Sequence, residues 1–230
     1  MQSTATIGTN SLCDGIDLSP LFGGKKSSRF TDFINNKSDD LFSKCNTLVT
    51  PLLSYQITEI DSIDNRTVYL ENGIGLKSPK LSKVMKHCDD VICFIATIGD
   101  GIEKEIARLT DEGRLFNAYI LESMGSMAVE SMVDSFCKDM EIKYTAQDKG
   151  ITLRFSPGYC DWPVAEQKKL FRIVDSGHIN VTLTDSCLMH PRKSISGVFG
   201  IHPFDGDNPV SPYNPCCDCK KKDCMARRVC

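Results

Sequence analysis

The run Val91-Ile92-Cys93-Phe94-Ile95-Ala96-Thr97-Ile98 decides the fold of this chain. Its residues are apolar at odd and at even positions, so neither face of an extended strand would be polar. That pattern is typical of a central strand whose two faces are both buried. The run ends at Gly99-Asp100-Gly101, and a helix is predicted from there through Arg108. The rest of the chain must therefore supply neighbouring strands and helices that cover both faces.

Further strands and helices are predicted on either side of this run. The predicted strands are Ser54–Ile60, Thr67–Glu71, Ile151–Phe155, Ile179–Asp185 and Ile195–Phe199, and the predicted helices are 38–49, Lys80–Lys86, Leu115–Met140 and Pro163–Asp175. Strands and helices follow one another without a strict strand–helix–strand alternation. This order favours the α+β class, with a twisted antiparallel sheet and flanking helices.

Composition excludes several classes of protein. The chain has 230 residues, 41% of them hydrophobic, and a formal charge of −3. These values are typical of a globular protein and give no electrostatic reason to bind nucleic acid. The longest apolar run has six residues, Val91–Ala96, whereas a membrane helix needs about 20. The first dozen residues lack the features of a secretion signal, so a cytoplasmic protein without membrane contact is expected.

Three segments are expected along the chain. Residues 1–37, rich in Ser, Thr, Gly and Asn, are interpreted as an irregular N-terminal arm. Residues 38–207 are expected to form the folded core, and residues 208–230 a cysteine-rich tail. Seven of the twelve cysteines are scattered and are expected to be free, small buried hydrophobes. These seven are Cys13, Cys45, Cys88, Cys93, Cys137, Cys160 and Cys187.

The segment Arg154-Phe155-Ser156-Pro157-Gly158-Tyr159 is the first candidate for a binding site. A Pro-Gly pair forms a tight turn, and glycine lets a ligand approach the backbone closely. The planar guanidinium of Arg154 suits a carboxylate or a phosphate, and Tyr159 offers a ring for packing. The pattern predicts a site for a small anionic ligand that bears a ring. A purely structural turn explains the same residues equally well.

A second candidate lies in Met189–Gly200, where small residues leave one strand with little side-chain cover. Ser194, Ser196, Gly197 and Gly200 are the small residues concerned. Such a strand accommodates either a ligand or a second backbone, and a tight sheet-to-helix contact is the structural alternative.

The two segments together resemble a known family. The sequence RFSPGYCDWP (154–163), followed by SCLMHPRKSISGVFGIHP (186–203), is similar to the reactivation domain at the C-terminus of cobalamin-dependent methionine synthase. That domain carries an Arg-x-x-Pro-Gly-Tyr turn and a later Ser-x-Ser-Gly segment that ends in His-Pro. The resemblance covers roughly residues 50–205 and implies the fold of that domain.

The resemblance also implies a ligand, S-adenosylmethionine. In the family, the arginine and the turn after it hold the methionine carboxylate and the adenine. Carried over by motif, the binding residues are Arg154, Ser156, Pro157, Gly158 and Tyr159. Glu130, on the long predicted helix, matches a family glutamate near the sulfonium end. No residue is expected to act as a catalytic acid or base, because the family positions two reactive centres.

The tail is a candidate metal site. Its spacing is Cys216-x2-Cys219-x4-Cys224-x5-Cys230, with Cys217 as an alternative ligand. Four thiolates on a short segment suit an iron–sulfur cluster or a tetrahedral zinc ion. Structural zinc usually takes cysteine pairs from two separate knuckles, whereas these cysteines lie in one stretch. An iron–sulfur cluster is therefore favoured over zinc.

The resulting hypothesis is a stand-alone reactivation protein that acts in methionine biosynthesis. It would hold S-adenosylmethionine against the cobalamin of a partner, either methionine synthase or another corrinoid-binding methyltransferase. A ferredoxin or flavodoxin would supply the electron, and the tail would relay it. The alternative is a non-catalytic adaptor whose tail binds zinc and docks a partner. An ordinary methyltransferase is disfavoured, because no glycine-rich loop with a following acidic strand end is present.

Overall fold

A computed structural model of the protein describes residues 2–5, 12–13, 41, 43–204 and 213–220. Most of the predicted N-terminal arm therefore lies outside the described residues, as do Cys224 and Cys230 of the tail. None of the helices in the described ranges is long and apolar enough to cross a membrane.

The fold is built on a seven-stranded antiparallel sheet with β5 near its centre. The strands are β1 (Gln2–Ala5), β2 (Leu52–Ile63), β3 (Thr67–Leu70), β4 (Gly75–Lys77), β5 (Asp90–Thr97), β6 (Lys149–Ile151) and β9 (Ser194–Pro203). Their order is β4-β3-β2-β5-β9-β6, and β1 pairs with the first part of β2. A separate two-stranded ribbon joins β7 (Thr182–Leu183) to β8 (Met189–His190). The predicted α+β class and antiparallel sheet are confirmed.

Strand β5 is buried on both faces, as its sequence predicts. Ile92 and Phe94 face one core, whereas Cys93 and Ile95 face the other, and all four are fully buried. In the first core, the ring of Phe94 packs against Phe136 at 5.8 Å between centroids. The sheet thus separates two hydrophobic layers, each of which needs its own helices.

In the described ranges, five helices cover the sheet. They are α1 (residues 43–48), α2 (Pro79–Val84), α3 (Gly101–Asp111), α4 (Leu115–Thr145) and α5 (Gln167–Ile173). Helices α1, α3 and α4 bury their apolar side chains in the first core, whereas α2 and α5 cover the second. Gly125 lies where α4 meets α3, because a Cβ there would stand 3.1 Å from Ile102 Cγ2. Close helix packing, one of the roles open to an interior glycine, accounts for it.

Several predicted element boundaries are wrong. Of the strand predicted over Ile151–Phe155, only Ile151 belongs to a strand, as the last residue of β6, and Phe155 forms an isolated bridge with Val198. The strand predicted over Ile179–Asp185 is a 3₁₀ turn followed by the two-residue β7. The helix predicted over Pro163–Asp175 splits into a 3₁₀ turn, Val164–Glu166, and α5. In the last two cases, local turns with their own hydrogen bonds replace a longer regular element.

Two predictions about the scattered cysteines also need correction. Cys13 and Cys45 are buried, but they are joined in a disulfide, so they are not free thiols. Cys160 is exposed instead of buried. By contrast, Cys88 and Cys93 are buried as expected, and burial raises the pKa of each thiol to about 12. These two thiols are therefore unreactive packing groups.

Candidate functional site

A cleft of about 740 Å³ lies beside the N-terminal half of β9. Its walls come from α4, from the segment between β6 and α5, from the first residue of α5, from the start of β9 and from the tail. The lining residues are Ser126, Met127, Val129, Glu130, Arg154, Phe155, Ser156, Pro157, Tyr159, Cys160, Gln167, Met189, Arg192, Lys193, Ser194, Ile195, Ser196, Asn214, Pro215 and Cys216. Both segments singled out in the sequence therefore meet at one cavity.

The cleft exists because one edge of β9 is left open. On one side β9 pairs with β5 along its length, from Ser194 to Ile201. On the other side, within the described chain, β6 pairs only with residues 201–203, and Phe155 bridges Val198. Since peptide groups alternate in direction along a strand, Ser196 shares the outward orientation of Val198. The peptide N–H and C=O of Ser196 thus face the cleft.

The Pro-Gly turn is held rigidly at the rim of the cleft. Gly158 has a positive φ of 89°, and its N–H donates to the Trp162 carbonyl at 2.8 Å. The carboxylate of Asp161 accepts hydrogen bonds from the Ser78 hydroxyl and from the Lys80 N–H, at the start of α2. The rings of Phe155 and Trp162 stack beneath the turn at 5.7 Å. The backbone after Arg154 therefore has a fixed direction, set by Pro157, Gly158 and the hydrogen bonds of Asp161.

Arg154 and Glu130 form an ion pair on the α4 side of the cleft. Nη2 of Arg154 donates to Glu130 Oε2 at 2.6 Å, and Asp134 lies 3.9 Å away. Burial by itself lowers the pKa of Arg154, but the charge and hydrogen bond of Glu130 outweigh it, so the pKa is raised. Nη1 of Arg154 is buried and has no hydrogen-bond partner within the described chain. The guanidinium thus has a donor left over for a further acceptor.

Most of the residues predicted for ligand binding line this cleft. Glu130, Arg154, Ser156, Pro157 and Tyr159 all do so, and the ring of Tyr159 is half exposed at the rim. Gly158 contributes the left-handed backbone that turns the chain.

The α4 wall also holds a cationic cluster that the sequence analysis missed. Nζ of Lys193 is buried and donates to the Glu122 carbonyl at 2.9 Å, to Glu122 Oε1 at 2.7 Å and to Ser126 Oγ at 2.8 Å. Arg192 shares the same carboxylate at 3.1 Å. The sequence signal was the basic pair Arg192-Lys193 directly before a buried strand. This cluster fixes the start of β9 against the helix.

A second missed residue, Gln167, lies on the α5 side of the cleft. It is the first residue of α5 and is only 4% exposed. Within the described chain, its Nε2 has no hydrogen-bond partner. The sequence signal was a polar residue on the buried face of a helix, three positions before Leu170 and seven before Val174.

The described part of the tail lies at the mouth of the cleft. Pro215 is buried, and Cys216 lines the cavity together with Cys160. Desolvation raises the pKa of Cys160, and the nearby thiols of Cys216 and Cys219 act in the same direction. Within the described residues, no group of three or more His, Cys, Asp or Glu side chains is arranged to hold a metal ion. The predicted ligands Cys224 and Cys230 lie outside that range.

The family is decided by a match over the part of the chain that builds the cleft. A family model described as vitamin B12 dependent methionine synthase, activation domain, matches residues 81–207, more than half of the chain. The chain belongs to this family. The predicted resemblance is thereby confirmed, and the family ties the chain to cobalamin-dependent methionine synthase.

The fold of this activation-domain protein is also found among solved structures. The MetH reactivation domain bound to AdoHcy superimposes with a TM-score of 0.67. The match covers 91% of this chain and 81% of that chain, at 15% sequence identity. At that identity the likeness concerns the fold, a mixture of helices and antiparallel sheet. No curated protein matches the chain.

Proposed function

We propose that the protein binds S-adenosylmethionine in the cleft and presents its methyl group to the corrinoid of a partner enzyme. The observation that carries this proposal is the Arg154 guanidinium, one donor of which has no partner among the described residues and lies in a cleft beside a rigid Pro-Gly turn. Family membership and the fold shared with a reactivation domain that binds AdoHcy support the same ligand.

In the proposed site each part of the cleft has a separate task. Arg154 binds the carboxylate of the ligand, and Glu130 holds the guanidinium in place. Ser156, Pro157, Gly158 and Tyr159 shape the rim against the nucleoside, while the open edge of β9 offers the peptide groups of Ser196. The chain supplies binding and orientation, and none of these side chains has to move a proton.

The chemistry belongs to the substrates. The partner's cob(II)alamin accepts one electron, and the methyl group then passes from the sulfonium to cobalt. The sulfur–methyl bond breaks, the cobalt–carbon bond forms, and S-adenosylhomocysteine leaves. Coupling the uphill reduction to this methyl capture drives reactivation. We infer a methionine synthase or related corrinoid methyltransferase as partner, and a ferredoxin or flavodoxin as electron donor.

Calorimetry with S-adenosylmethionine and S-adenosylhomocysteine tests the binding proposal. A charge-assisted hydrogen bond contributes about 1.5–3 kcal/mol, so Arg154→Ala should weaken binding by roughly 10- to 150-fold. Arg66→Ala is the matched control, because Arg66 is exposed and lies in the turn between β2 and β3. Unchanged affinity in the Arg154 variant would remove that residue from the site. Absence of binding by the wild type would refute the proposed ligand.

We further propose that the tail binds an iron–sulfur cluster through Cys216, Cys219, Cys224 and Cys230, with Cys217 as an alternative ligand and zinc as the alternative metal. The supporting observation is that Cys216, in the tail, lines the cleft in which we propose that the methyl donor binds. Iron, sulfide and zinc content of protein prepared without oxygen is the test. Zinc without iron would favour the adaptor hypothesis, in which the tail docks a partner.

A further inference from the structure

The side chain of Gln167 is an unexplained polar group in the wall of the cleft. A buried amide nitrogen without a hydrogen-bond partner destabilises a folded protein, because it has lost water and gained nothing. Gln167 is 4% exposed, its Nε2 has no partner in the described chain, and the residue lines the cleft. No contact of this nitrogen among the described residues gives a reason for an amide at this position.

Gln167 is held firmly in that position. The carboxylate of Glu166 accepts hydrogen bonds from the Lys77 N–H at 2.8 Å and from Lys169 Nζ at 2.9 Å. Nζ of Lys169 also donates to the Gly75 carbonyl at 2.6 Å, and Leu170 is fully buried. The first turn of α5 is therefore tied to β4 and to the second core. Such a residue cannot leave the cleft wall to find water.

In the described part of the chain, two buried donors of the cleft lack partners, and they lie on opposite faces of the sheet. The guanidinium of Arg154 pairs with Glu130 of α4, which covers the first core. Gln167 belongs to α5, which covers the second core. A single ligand that accepts hydrogen bonds from both donors must extend across the open edge of β9, with one end at Arg154 and the other at Gln167. An anionic end suits the guanidinium, whereas a neutral amide suits uncharged acceptors such as ring nitrogens or hydroxyls.

We propose that the Gln167 amide binds the nucleoside end of the ligand, donating a hydrogen bond from Nε2 to an uncharged acceptor there. This inference rests on the proposed function, in which the ligand is S-adenosylmethionine. Gln167 is then a specificity residue that recognises the nucleoside, and Arg154 recognises the amino-acid end independently.

The test compares two ligands on the full-length protein by calorimetry. S-adenosylhomocysteine has both ends, whereas methylthioadenosine lacks the amino-acid carboxylate. Gln167→Leu should weaken both ligands by the same factor, about 3- to 10-fold. Arg154→Ala should weaken S-adenosylhomocysteine alone. Gln147→Leu is the control, because Gln147 is exposed and its amide donates to the Lys143 carbonyl away from the cleft.

A stability measurement separates this role from a structural one. Because the substitution removes a buried donor without a partner, the unliganded Gln167→Leu protein should melt at or above the wild-type temperature. Gln167→Met, unbranched like glutamine, repeats the test if leucine packs badly. A lower melting temperature for both variants with unchanged affinities would overturn the inference.

Failure of the inference is distinguishable from failure of the proposed function. If Gln167→Leu binds S-adenosylhomocysteine and methylthioadenosine as tightly as the wild type does, Gln167 does not recognise the nucleoside. The same holds if Gln167→Leu weakens only S-adenosylhomocysteine. If the wild type binds neither ligand, the proposed function is wrong as well.

Discussion

At the scale of single residues, Lys193 stabilises one wall of the cleft. Its ammonium group is buried and makes three hydrogen bonds to Glu122 and Ser126 of α4. Removal of a fully buried charge from its partner typically costs about 3–5 kcal/mol. Here the Glu122 side chain is 38% exposed, so water can solvate it once the lysine is gone. The lost contacts should therefore destabilise the protein less than that.

We expect Lys193→Met to lower the free energy of unfolding by about 1–3 kcal/mol, measured by urea denaturation. Lys104→Met is the matched control. Lys104 pairs with Asp100 on the surface of α3, with 74% of its side chain exposed, and such pairs contribute below about 1 kcal/mol. Equal losses in the two variants would show that the Lys193 network does not hold β9 to the helix.

At the scale of elements, Glu105 links two helices of the first core. Its carboxylate accepts hydrogen bonds from Arg108, at 2.7 and 2.9 Å, and from Lys44 of α1 at 2.5 Å. The hydrogen bonds from Arg108, together with the one from Lys44, lower the pKa of Glu105 from 4.5 to about 2. A carboxyl group whose pKa is lower in the folded state stabilises the fold above pH 4.5, and this stabilisation is lost between pH 4.5 and about 2.

Glu105→Gln should therefore be less stable than the wild type at pH 6, by about 1–2 kcal/mol. That figure is kept below the full pKa shift because Lys44 and Arg108 are 38% and 45% exposed. The difference between wild type and variant should shrink towards zero at pH 2.5, measured by urea denaturation at both pH values. Glu141→Gln, on the exposed side of α4, should differ little from the wild type in stability at both pH values. A pH-independent difference for Glu105→Gln would contradict the prediction.

Some of these elements could be predicted from the sequence. The central strand was predictable because its apolar residues leave no polar face, and the Arg154 turn because its residue types allow few backbones. For the glycines of β9 the sequence allowed contact with a second backbone and contact with a helix, and each contact occurs at one of them. A Cβ at Gly197 would lie 3.0 Å from the Phe155 carbonyl, whereas one at Gly200 would meet Cys88 and Met85 beside α2. Ser194 and Ser196, which precede both glycines in β9, line the cleft instead.

Gln167 and the Lys193 cluster could not be assigned from the sequence for a physical reason. Each depends on contacts between residues that lie far apart in the sequence, 67 or more positions in the bonds of Lys193, Glu166 and Lys169. No local pattern encodes such contacts. Gln167 lies in the cleft because Glu166 and Lys169 tie α5 to β4, some 90 residues earlier. The Cys13–Cys45 disulfide was missed for the same reason, since the two residues are 32 positions apart.

At the scale of the whole molecule, the tail and the activation-domain fold converge on one cleft. Tyr213 packs against the second core, and Pro215 is buried, so the tail contributes to the cavity wall. Deleting the tail would therefore alter the binding site together with any metal ligands. Substitution of serine for cysteine preserves the size of the side chain and keeps the wall in place.

We expect the full-length double variant Cys216→Ser, Cys219→Ser to bind S-adenosylhomocysteine within about 2-fold of the wild type, while its bound iron falls at least to half. If the tail relays the electron, methylcobalamin should form more slowly on a cob(II)alamin-loaded partner with one fixed electron donor, because the low-potential centre is lost. Cys137→Ser, a half-buried cysteine of α4, is the control and should match the wild type in all three measurements. Equal rates for wild type and double variant would rule out the relay, even if iron were lost. The tail would then act as a docking element, and the electron would have to reach the corrinoid directly from its donor.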